Sequence, residues 1–446
     1  MKNIIQDLIS LPKYGKGIGL HRMNALTEDL QKTDWWQTIK PINIVGTDGK
    51  GSTSAIITTI LSALNISFGR YTSPHLFDFG ERMLVDNQLI SIEELEVIAN
   101  SVSKKKAIFL QKNKNEQFNA FETFTAIALQ HFYNKKTKTV VLEAGIGGRY
   151  DSTRILTGDF AALTSVSLEH TEILGVSEDL IAFDKMDILN TSGTLVVGQM
   201  KPHLLTKIKN YGKIKGIEVL CIQDYCQVHQ VKYLDNRMLL DLEIDNWRID
   251  SLEINLLGEH QISNVQVAVL LLKRWLKKYY PKISAIQFKK AINLGLKQID
   301  WKGRFQRIHQ APNIYIDVGH TVNAFRLLAS SIQKMTPRKW LLVVGFSHKK
   351  PFEKMLRELL PIADKMICTS AYHRGSDIEI LFETAQKLNS NNIEIKKTTN
   401  IESAIDHARI IALAENMDIL IVGGLFLAIE SHHYINGNDA KSLAFF

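Results

Sequence analysis

The chain has 446 residues, too many for one compact core, so its length predicts two or three domains. Apolar residues make up 45% and charged residues 22%, a globular balance that excludes a disordered chain. Lysine and arginine number 54 against 46 acidic residues, but this surplus forms no basic stripe with interleaved aromatic residues. We therefore expect no nucleic-acid partner, although the excess charge would attract anionic small molecules.

The sequence carries no pattern typical of secretion or of a membrane span. The first ten residues, MKNIIQDLIS, hold a lysine and an aspartate, which is unlike a secretory signal. The longest aliphatic run, VAVLLL at 267–272, is far shorter than a bilayer span. Three cysteines, an odd number without metal-ligand spacing to histidines, are typical of a reduced protein. We therefore expect a cytoplasmic protein that does not bind membranes.

The first two thirds of the chain alternate short apolar runs with helical stretches. The apolar runs end in small or polar residues, as buried parallel strands do, and they are PINIVG (41–46), TVVLEAG (139–145), FAALTSVS (160–167) and TLVVGQ (194–199). Helical stretches such as STSAIITTILSALN (52–65) and FETFTAIALQHFY (121–133) lie between the runs. This alternation predicts a doubly wound α/β sheet.

The pattern changes between about residues 217 and 257. Apolar and polar residues alternate there, with DN turns at 235–236 and 245–246, which predicts an antiparallel hairpin sheet. The segments assigned to this sheet are IEVLCI, QVHQVKYL, RMLLDLEI and WRIDSLEINLL. A strongly apolar helix, SNVQVAVLLLKRWLKKYY (263–280), follows and ends before Pro281.

A second α/β rhythm begins after LKQIDWKGRFQR (296–307). Its predicted strands are NIYIDVGH, WLLVVGFS, KMICTSA, IEIKKTT and DILIVGGL, with helices between them. We place the domain boundary near residues 296–300, which gives an N-terminal domain of residues 1–297 and a C-terminal domain of residues 298–446. The predicted fold is α/β, with a parallel sheet and a small antiparallel sheet first and a Rossmann-like domain second.

A glycine-rich stretch, GTDGKGS (46–52), follows the first predicted strand. The strict Walker pattern requires a glycine two positions earlier, where Ile44 stands. Glycines nevertheless free the backbone N–H groups, Lys50 supplies a cation, and Ser52 opens a helix with a hydroxyl placed for Mg²⁺. Taken alone, the stretch favours a phosphate-binding loop only mildly over a glycine-rich turn. Asp48 adds a negative charge where a polyphosphate would lie.

Further motifs follow in order over almost the whole chain. They are GIGLHRMNAL (17–26), RYTSPHLFDFGERM (70–83), AFETFTAIAL (120–129), LEAGIGGRYDSTRIL (142–156), SVSLEHTEILG (165–175), FDKMDIL (183–189), GEHQISNVQVAV (258–269), WKGRFQRI (301–308) and ILIVGGLFLAIE (419–430). With GTDGKGS, they resemble the folylpolyglutamate synthase and dihydrofolate synthase branch of the Mur ligase superfamily. The resemblance implies a Mur-ligase-type P-loop domain and a C-terminal glutamate-ligase-type domain. It also implies a ligase that phosphorylates a carboxylate with ATP before an amine displaces the phosphate.

The resemblance implies roles for individual residues as well. The implied ATP-binding residues are Gly46, Thr47, Asp48, Gly49, Lys50, Gly51, Ser52, Thr53, Asn264, Arg304, Asp317 and His320. Ser52 and Glu143 match ligands of one Mg²⁺, and His170 matches a ligand of a second. Lys50, His170 and Lys185 match catalytic residues, and Lys185 matches a lysine that carries a carbamyl group in the family. Outside these motifs, Glu143 could be a strand cap, His170 a structural histidine and Lys185 a surface lysine.

The same resemblance implies a binding site for the acyl substrate. The matched residues are Ser73, Pro74, His75, Arg82, Phe121 and Glu122. Phe121 could stack on a flat heterocycle, although its three-residue spacing from Phe124 is also typical of core positions. We expect Phe124 to lie in the core and leave Phe121 open. The implied partners are ATP, a pterin or folate acid and L-glutamate, and the family expectation is a monomer.

Two stretches of the C-terminal domain depart from the family pattern. DVGHTVNAF (317–325) keeps the family's aspartate and first histidine, but Thr321 and Val322 replace an Asn-Pro pair. GFSHKKPF (345–352) carries Lys349 where an acidic residue is customary, which reverses a charge near the phosphate or amino-acid site. Three interpretations remain open: a folate ligase with altered contacts, a related ligase for another acid or amine, and an ATP-binding protein without turnover. The retained metal ligands and catalytic lysine favour an active ligase.

Overall fold

The computed structural model describes residues 4–12, 19–234, 237–335, 338–348 and 350–443. Parts of three predictions lie outside these residues, namely Gly17 and Ile18 of the first motif, the DN turn at 235–236, and Lys349. The described chain forms two α/β units, one around an eight-stranded sheet and one around a six-stranded sheet, and a separate three-stranded sheet. The predicted α/β fold is therefore confirmed.

The first unit is built on a mostly parallel sheet with the strand order β4-β3-β2-β5-β1-β6-β7-β8. Its strands are β1 (Lys40–Val45), β2 (Phe68–Tyr71), β3 (Met83–Val85), β4 (Gln88–Leu89), β5 (Thr139–Glu143), β6 (Phe160–Leu163), β7 (Thr194–Val197) and β8 (Glu218–Cys221). Strands β3 and β4 extend one edge in antiparallel pairing, and the other six strands run parallel. The parallel strands are almost entirely apolar because helices cover both of their faces.

Helices α1 to α12 belong to this unit. Their bounds are α1 (Ile4–Ile9), α2 (His21–Gln31), α3 (Asp34–Thr38), α4 (Lys50–Ala63), α5 (Ile92–Lys112), α6 (Ala120–Asn134), α7 (Thr171–Leu174), α8 (Glu178–Met186), α9 (Pro202–Lys215), α10 (Ile222–Tyr225), α11 (Glu259–Tyr279) and α12 (Ala285–Gln298). Helices α4, α11 and α12 cover one face of the sheet. Helices α2, α5 and α6 cover the other face at β5, and α8 and α9 cover it at β6 to β8.

The small antiparallel sheet has the strand order β11-β10-β9. Its strands are β9 (Cys226–Tyr233), β10 (Met238–Ile244) and β11 (Trp247–Ile254), as predicted. The fourth segment assigned to it, IEVLCI, was wrongly placed. Residues Glu218–Cys221 pair in parallel with β7 instead, because alternation predicts a strand without specifying the sheet that the strand joins.

The second unit contains a six-stranded sheet with the order β12-β13-β17-β14-β15-β16, in which only β12 is antiparallel. Its strands are β12 (Gln306–Gln310), β13 (Asn313–Asp317), β14 (Trp340–Val344), β15 (Lys365–Cys368), β16 (Glu394–Lys397) and β17 (Asp418–Val422). Its helices are α13 (Val322–Lys334), α14 (Phe352–Leu359), α15 (Ile378–Leu388), α16 (Ile401–Glu415) and α17 (Leu425–Ile435). All five strands predicted for this region are confirmed, and β12 is an addition.

The two units contact each other at α11 and α13, where the Glu259 N–H donates to Ser331 Oγ at 3.1 Å, and at the loop that follows β2. Leu76 and Phe77 of this loop pack against the apolar core of the second unit, and Phe77 stacks on His432 with ring centres 4.2 Å apart. The proposed domain boundary after residue 297 falls at the end of α12 and stays a prediction. Of the described helices, none combines the length and apolarity that crossing a membrane would require.

Candidate functional site

A cavity of about 1210 Å³ lies between the two units. Ligand sites usually measure ~300–1000 Å³, so this cavity has room for more than one small molecule. The first unit contributes the start of α4, the ends of β2 and β5, and the loop after β2. The second unit contributes the segment after α12 and several cationic side chains from its loops. The lining that matters for chemistry comprises Gly51, Arg70, Ser73, Pro74, Glu143, Trp301, Lys302, Arg304, His320, His348, Lys350 and Arg374.

Two glycines of the phosphate loop are required by its shape. Gly46 has φ +150°, and a Cβ there would lie 1.9 Å from Thr164 Oγ1. Gly49 has φ +86°, and a Cβ there would lie 2.4 Å from Asn264 Oδ1. These positions combine a left-handed backbone with contacts too close for a side chain. The sequence therefore builds a tight nest directly before the first turn of α4.

The loop is held by the residues after β6. The main-chain N–H of Asp48 donates to Ser165 Oγ at 2.9 Å, and the Thr164 hydroxyl donates to the Asp48 carbonyl at 2.6 Å. Lys50 Nζ turns back and donates to the carbonyls of Gly46 and Thr47, both at 2.9 Å. The hydroxyls of Thr164 and Ser165 thus hold the loop backbone, and the Lys50 ammonium folds back onto two of its carbonyls. The second oxygen of the Asp48 carboxylate is buried without a partner among the described residues.

Glu143 ends β5 beside the phosphate loop, as its motif implies. Its Oε2 accepts the main-chain N–H of Ser73 at 3.0 Å and would lie 3.4 Å from a Cβ at Gly51. Burial raises the pKa of the Glu143 carboxyl, and the charge of Lys50, the Ser73 N–H and Arg304 oppose this rise. Ser52 is buried in the first turn of α4. A carboxylate and a hydroxyl next to a phosphate nest form a hard oxygen donor set.

The oxygen donors of Ser52 and Glu143 suit Mg²⁺ that also binds phosphate and water, and they do not suit a metal held by protein side chains alone. Among the described residues, no group of three or more histidine, cysteine, aspartate or glutamate side chains could hold a metal ion. Mg²⁺ usually takes one or two carboxylates and completes its octahedron with phosphate oxygens and water. The pairing of Ser52 and Glu143 therefore suits Mg²⁺ that arrives with a nucleotide.

Lys185 reaches the same loop from α8. Its side chain is only 2% exposed, and its Nζ donates to the Gly46 carbonyl at 2.9 Å and to Glu169 Oε1 at 3.0 Å. Burial lowers the pKa of Lys185, and the nearby charge of Lys50 lowers it further. Because the side chain is buried at the loop, the surface-lysine alternative does not describe it.

His170 lies in the segment between β6 and α8 and is more exposed than the other predicted metal ligands. It caps α7 with φ +46°, and its side chain is 37% exposed. Its Nδ1 lies 3.8 Å from Glu172 Oε1. The alternative of a buried structural histidine does not fit this position, and the ring is open to a ligand.

The remaining predicted nucleotide contacts come from both units. The Asn264 side chain of α11 packs on Gly49 and accepts the Thr53 hydroxyl at 3.4 Å. Arg304 and His320 line the cavity from the second unit. Burial lowers the pKa of His320, and the charges of Lys350 and Arg304 add to this effect.

Asp317 does not line the cavity but stabilises the side of it that the second unit contributes. Its carboxylate accepts the main-chain N–H of Phe305 at 2.9 Å and of Gly319 at 2.7 Å. The two bonds tie the segment after Arg304 to the segment before His320, while burial raises the pKa of Asp317. Asp317 therefore fixes the positions of two cavity residues.

The predicted substrate loop splits into two groups. Ser73 and Pro74 line the cavity. His75 and Arg82 instead lie beneath the loop, where Arg82 Nε donates to His75 Nδ1 at 2.7 Å. Burial and the charge of Arg82 lower the pKa of His75 to about 3, so the ring stays neutral. Arg82 also lies over the rings of Phe79 and Phe124, at 5.6 and 5.0 Å.

Phe121 and Glu122 also lie outside the described cavity lining. Phe121 packs on Gly145 and meets the Tyr71 ring at 5.5 Å. The Glu122 carboxylate caps α6 through the N–H of Asn119 and accepts Arg22 Nε at 2.8 Å. These contacts give Glu122 a structural role in the position observed. Phe124 is buried in the core, as predicted.

Several cavity-lining residues are absent from the predicted site, namely Arg70, Trp301, Lys302, His348, Lys350 and Arg374. The sequence did offer an indication of a role for Arg70, because a charged residue in the short apolar segment FGRY is unusual for a buried strand. Trp301 and Lys302 belong to the motif WKGRFQRI, and His348 and Lys350 to the stretch GFSHKKPF, but neither pattern assigns these residues a role. Arg374 lies in a loop outside these stretches. With Arg304, the side chains of Lys302, Lys350 and Arg374 make the wall of the second unit strongly cationic.

Residues 44–272 match the Mur ligase middle domain, and residues 303–425 match the Mur ligase glutamate ligase domain. The first match alone covers more than half of the chain. The chain belongs to the Mur ligase family. Curated relatives of the chain are dihydrofolate synthase/folylpolyglutamate synthases, the branch of that family that the sequence motifs resemble.

Two curated relatives and one solved structure illustrate this similarity. A probable bifunctional folylpolyglutamate synthase/dihydropteroate synthase of Halobacterium salinarum is 29% identical over 87% of the chain, which spans only 46% of that relative. The dihydrofolate synthase/folylpolyglutamate synthase of Bacillus subtilis is 28% identical over 85% of the chain and 87% of the relative. A Mycobacterium tuberculosis folylpolyglutamate synthase complexed with ADP and AMPPCP has the same fold, with a TM-score of 0.85, 23% identity and 98% of each chain covered.

Proposed function

We propose that this chain is an ATP-dependent ligase that joins L-glutamate to dihydropteroate or to a folate through an acyl phosphate. One observation carries the proposal: a single cavity joins the end of a phosphate nest to a cationic wall from the second unit. A nucleotide, a carboxylic acid and an anionic amino acid can meet there. The names of the Bacillus and Mycobacterium relatives support the choice of substrates.

The nucleotide phosphates would bind at the N-terminus of α4. The N–H groups at the start of a helix can donate to phosphate oxygens, and the helix dipole favours their negative charge. Lys50 would exchange its two carbonyl contacts for phosphate oxygens. Arg304 would approach from the second unit as a planar donor fork. Asn264 packs on the loop from α11 and would fix its position.

Ser52 and Glu143 would hold one Mg²⁺, and His170 would hold a second. Bound Mg²⁺ supplies charge neutralisation for the transferred phosphoryl group. The Glu143 carboxylate accepts one main-chain hydrogen bond, which leaves further lone pairs for a cation.

The chemistry then requires two transfers. An oxygen of the acid's carboxylate attacks the γ-phosphorus of ATP, and the bond to the ADP oxygen breaks. The amine nitrogen of glutamate attacks the acyl carbon, phosphate leaves with the bonding electrons, and the nitrogen loses a proton. The protein acts mainly by positioning the reactants and stabilising charge. Ser73 would contact the acid, and His320 with the cationic wall would contact the amino acid.

Lys185 is proposed to carry a carbamyl group in the active enzyme. Its lowered pKa increases the fraction of neutral amine, whose nitrogen can add to the carbon of CO₂ and release a proton. The product is a carboxylate-like group that could replace the contact with Glu169 and orient the acyl phosphate. Carbon-13 NMR of the protein in labelled bicarbonate should show a carbamate signal that Lys185→Arg removes. A wild-type spectrum without that signal would contradict the modification.

The function is tested by phosphate release from ATP. Release should require both L-glutamate and either dihydropteroate or tetrahydrofolate, and omission of one partner should remove it. Stimulation only by a different acid and amine would identify a related ligase instead. Nucleotide binding without stimulation by any pair would identify a protein that does not turn over. A monomeric state and a cytoplasmic location stay predictions.

A further inference from the structure

Arg70 is a buried cation without an ion-pair partner among the described residues. It lies on β2, lines the cavity and is 8% exposed. Within the described chain its side chain makes one hydrogen bond, from Nη1 to Thr58 Oγ1 at 3.4 Å, and Nε is buried without a partner. Burial lowers the pKa of Arg70 to about 10, so the guanidinium stays charged at neutral pH.

The neighbouring carboxylates do not satisfy this charge. The Glu81 carboxylate accepts the main-chain N–H groups of Leu76 at 2.7 Å and of Phe77 and Asp78 at 3.3 Å. Glu143 is held by the Ser73 N–H and belongs to the proposed metal site. A buried charge without a partner is costly, since desolvation amounts to several kcal/mol per ion. An anionic ligand in the cavity would remove that cost.

Trp301 completes the place for such a ligand. The Arg70 guanidinium lies 5.0 Å from the centre of the Trp301 ring, and the indole N–H is buried without a partner in the described chain. The same ring lies against the first turn of α4, where a Cβ at Gly51 would be 2.8 Å from it. Two unused donor groups therefore meet beside the start of the phosphate-binding helix.

Strand pairing gives the distance between Arg70 and the reaction centre. In the parallel pair of β2 and β5, Arg70 is opposite Val141, two residues before Glu143. Side chains two residues apart share a face of the sheet and are separated by roughly 6–7 Å along the strand. Neighbouring strands add about 4.8 Å across the sheet, so the backbones at Arg70 and Glu143 are roughly 8 Å apart. One glutamate residue, bound by its α-carboxylate at the end of the long Arg70 side chain, can place its γ-carboxylate beside Glu143 across such a distance.

We propose that Arg70 and Trp301 bind the α-carboxylate of a glutamate that the acyl substrate already carries, while the γ-carboxylate of the same glutamate reacts. The inference rests on the proposed ligase function and deepens it. It makes Arg70 a specificity-determining residue that favours folates over dihydropteroate. Dihydropteroate has one carboxylate, which is consumed in the reaction, and its binding would leave Arg70 buried without a partner.

The test compares three ligands: pteroylglutamate, pteroylglutamate with its α-carboxylate converted to an amide, and pteroic acid. The first two differ only at the α-carboxylate, whereas pteroic acid lacks the whole glutamate residue. Dissociation constants are measured by calorimetry in the presence of ADP and Mg²⁺. The wild-type protein should bind pteroylglutamate roughly 10- to 100-fold more tightly than either other ligand, as expected for a buried charge pair. Arg70→Leu should remove this difference by weakening only pteroylglutamate, and Arg70→Lys should retain part of it.

Arg326→Leu, which alters an exposed arginine paired with Glu358, is the matched control and should leave all three constants unchanged. Equal weakening of all three ligands by Arg70→Leu would assign Arg70 a structural role and overturn the inference. Equal affinity of the wild-type protein for pteroylglutamate and its α-amide would also overturn the inference. This comparison does not depend on the folding of a variant. Because binding is measured without turnover, selective binding without product formation would contradict the ligase function alone.

Discussion

The two walls of the cavity differ in how their functional groups are held. On the wall of the first unit, the phosphate loop, Glu143 and Lys185 lie at the ends of strands or on helices, and main-chain bonds fix them. On the wall of the second unit, the cations Lys350 and Arg374 come from loops. The first wall holds the nucleotide site in a fixed geometry and also carries Arg70 and Ser73, the proposed contacts of the acid. The second wall can change its side chains without disturbing the sheet, so the contacts with the amino acid are expected to vary there.

The largest effect is expected from Lys50→Met, which removes the cation nearest to the phosphates on the first wall. Loss of charge stabilisation at the transferred phosphoryl group should lower kcat about 10³-fold. Steady-state phosphate release measures the change, with Lys201→Met as a control, since Lys201 is an exposed lysine paired with Glu178. Less than a threefold change in Lys50→Met would show that the nest amides suffice.

Lys185→Ala should lower kcat by roughly 10²-fold, because its proposed carbamate orients the acyl phosphate. ADP affinity should change little, which separates this effect from damage to the nest. Calorimetric titration with ADP and single-turnover kinetics give the two numbers. An unchanged kcat in Lys185→Ala would show that Lys185 takes no part in turnover.

Much of the first wall could be predicted from the sequence, and much of the second could not. GTDGKGS, Glu143 and Lys185 lie in local patterns, because backbone shape and strand ends impose residue types on neighbouring positions. IEVLCI was assigned to the wrong sheet, since strand pairing depends on residues far away in the chain. No motif predicted Arg374, because its place in the cavity depends on how the two units pack.

Glu430 supports the second wall from beneath, and its titration should be visible in stability. Its carboxylate accepts the N–H groups of Tyr372 and His373, directly before Arg374. Burial raises the pKa of Glu430 to about 7 from its ordinary value near 4.5. Between these pH values the folded protein binds more protons than the unfolded chain, so the free energy of unfolding falls as pH rises.

Glu430→Gln should reduce the fall in the free energy of unfolding over this pH range by up to about 2 kcal/mol, a value that allows for solvent screening. Urea denaturation at pH 4.5, 5.5, 6.5 and 7.5 measures the difference between variant and wild type. Glu383→Gln, which alters an exposed glutamate of α15, is the control. Parallel pH profiles for wild type and Glu430→Gln would contradict the assignment.

A smaller effect is expected from Arg374→Leu on the second wall. Arg374 lines the cavity with φ +56° and would contact the amino-acid carboxylate. Its loss should raise KM for glutamate about tenfold, as for one exposed charge-assisted contact, and leave KM for ATP unchanged. A rise in both constants would place Arg374 at the nucleotide instead and weaken the contrast between the walls.

The smallest effect is expected from Asp48→Asn. The main chain of Asp48 is held by Thr164 and Ser165, while one carboxylate oxygen is buried without a partner in the described chain. Removing that charge beside the phosphates should leave ATP affinity equal or better. Complete loss of ATP binding would show that the Asp48 carboxylate itself is required for nucleotide binding.

The central claim is that the two walls bind the two partners of one ligation. Mass spectrometry of the products tests this claim most directly. The protein is incubated with ATP, Mg²⁺ and a panel of pterin acids and amino acids. We predict one new species, the amide of a folate or dihydropteroate with glutamate, formed together with ADP and phosphate. Hydrolysis of ATP with no amide product from any acid and amino acid would contradict the claim.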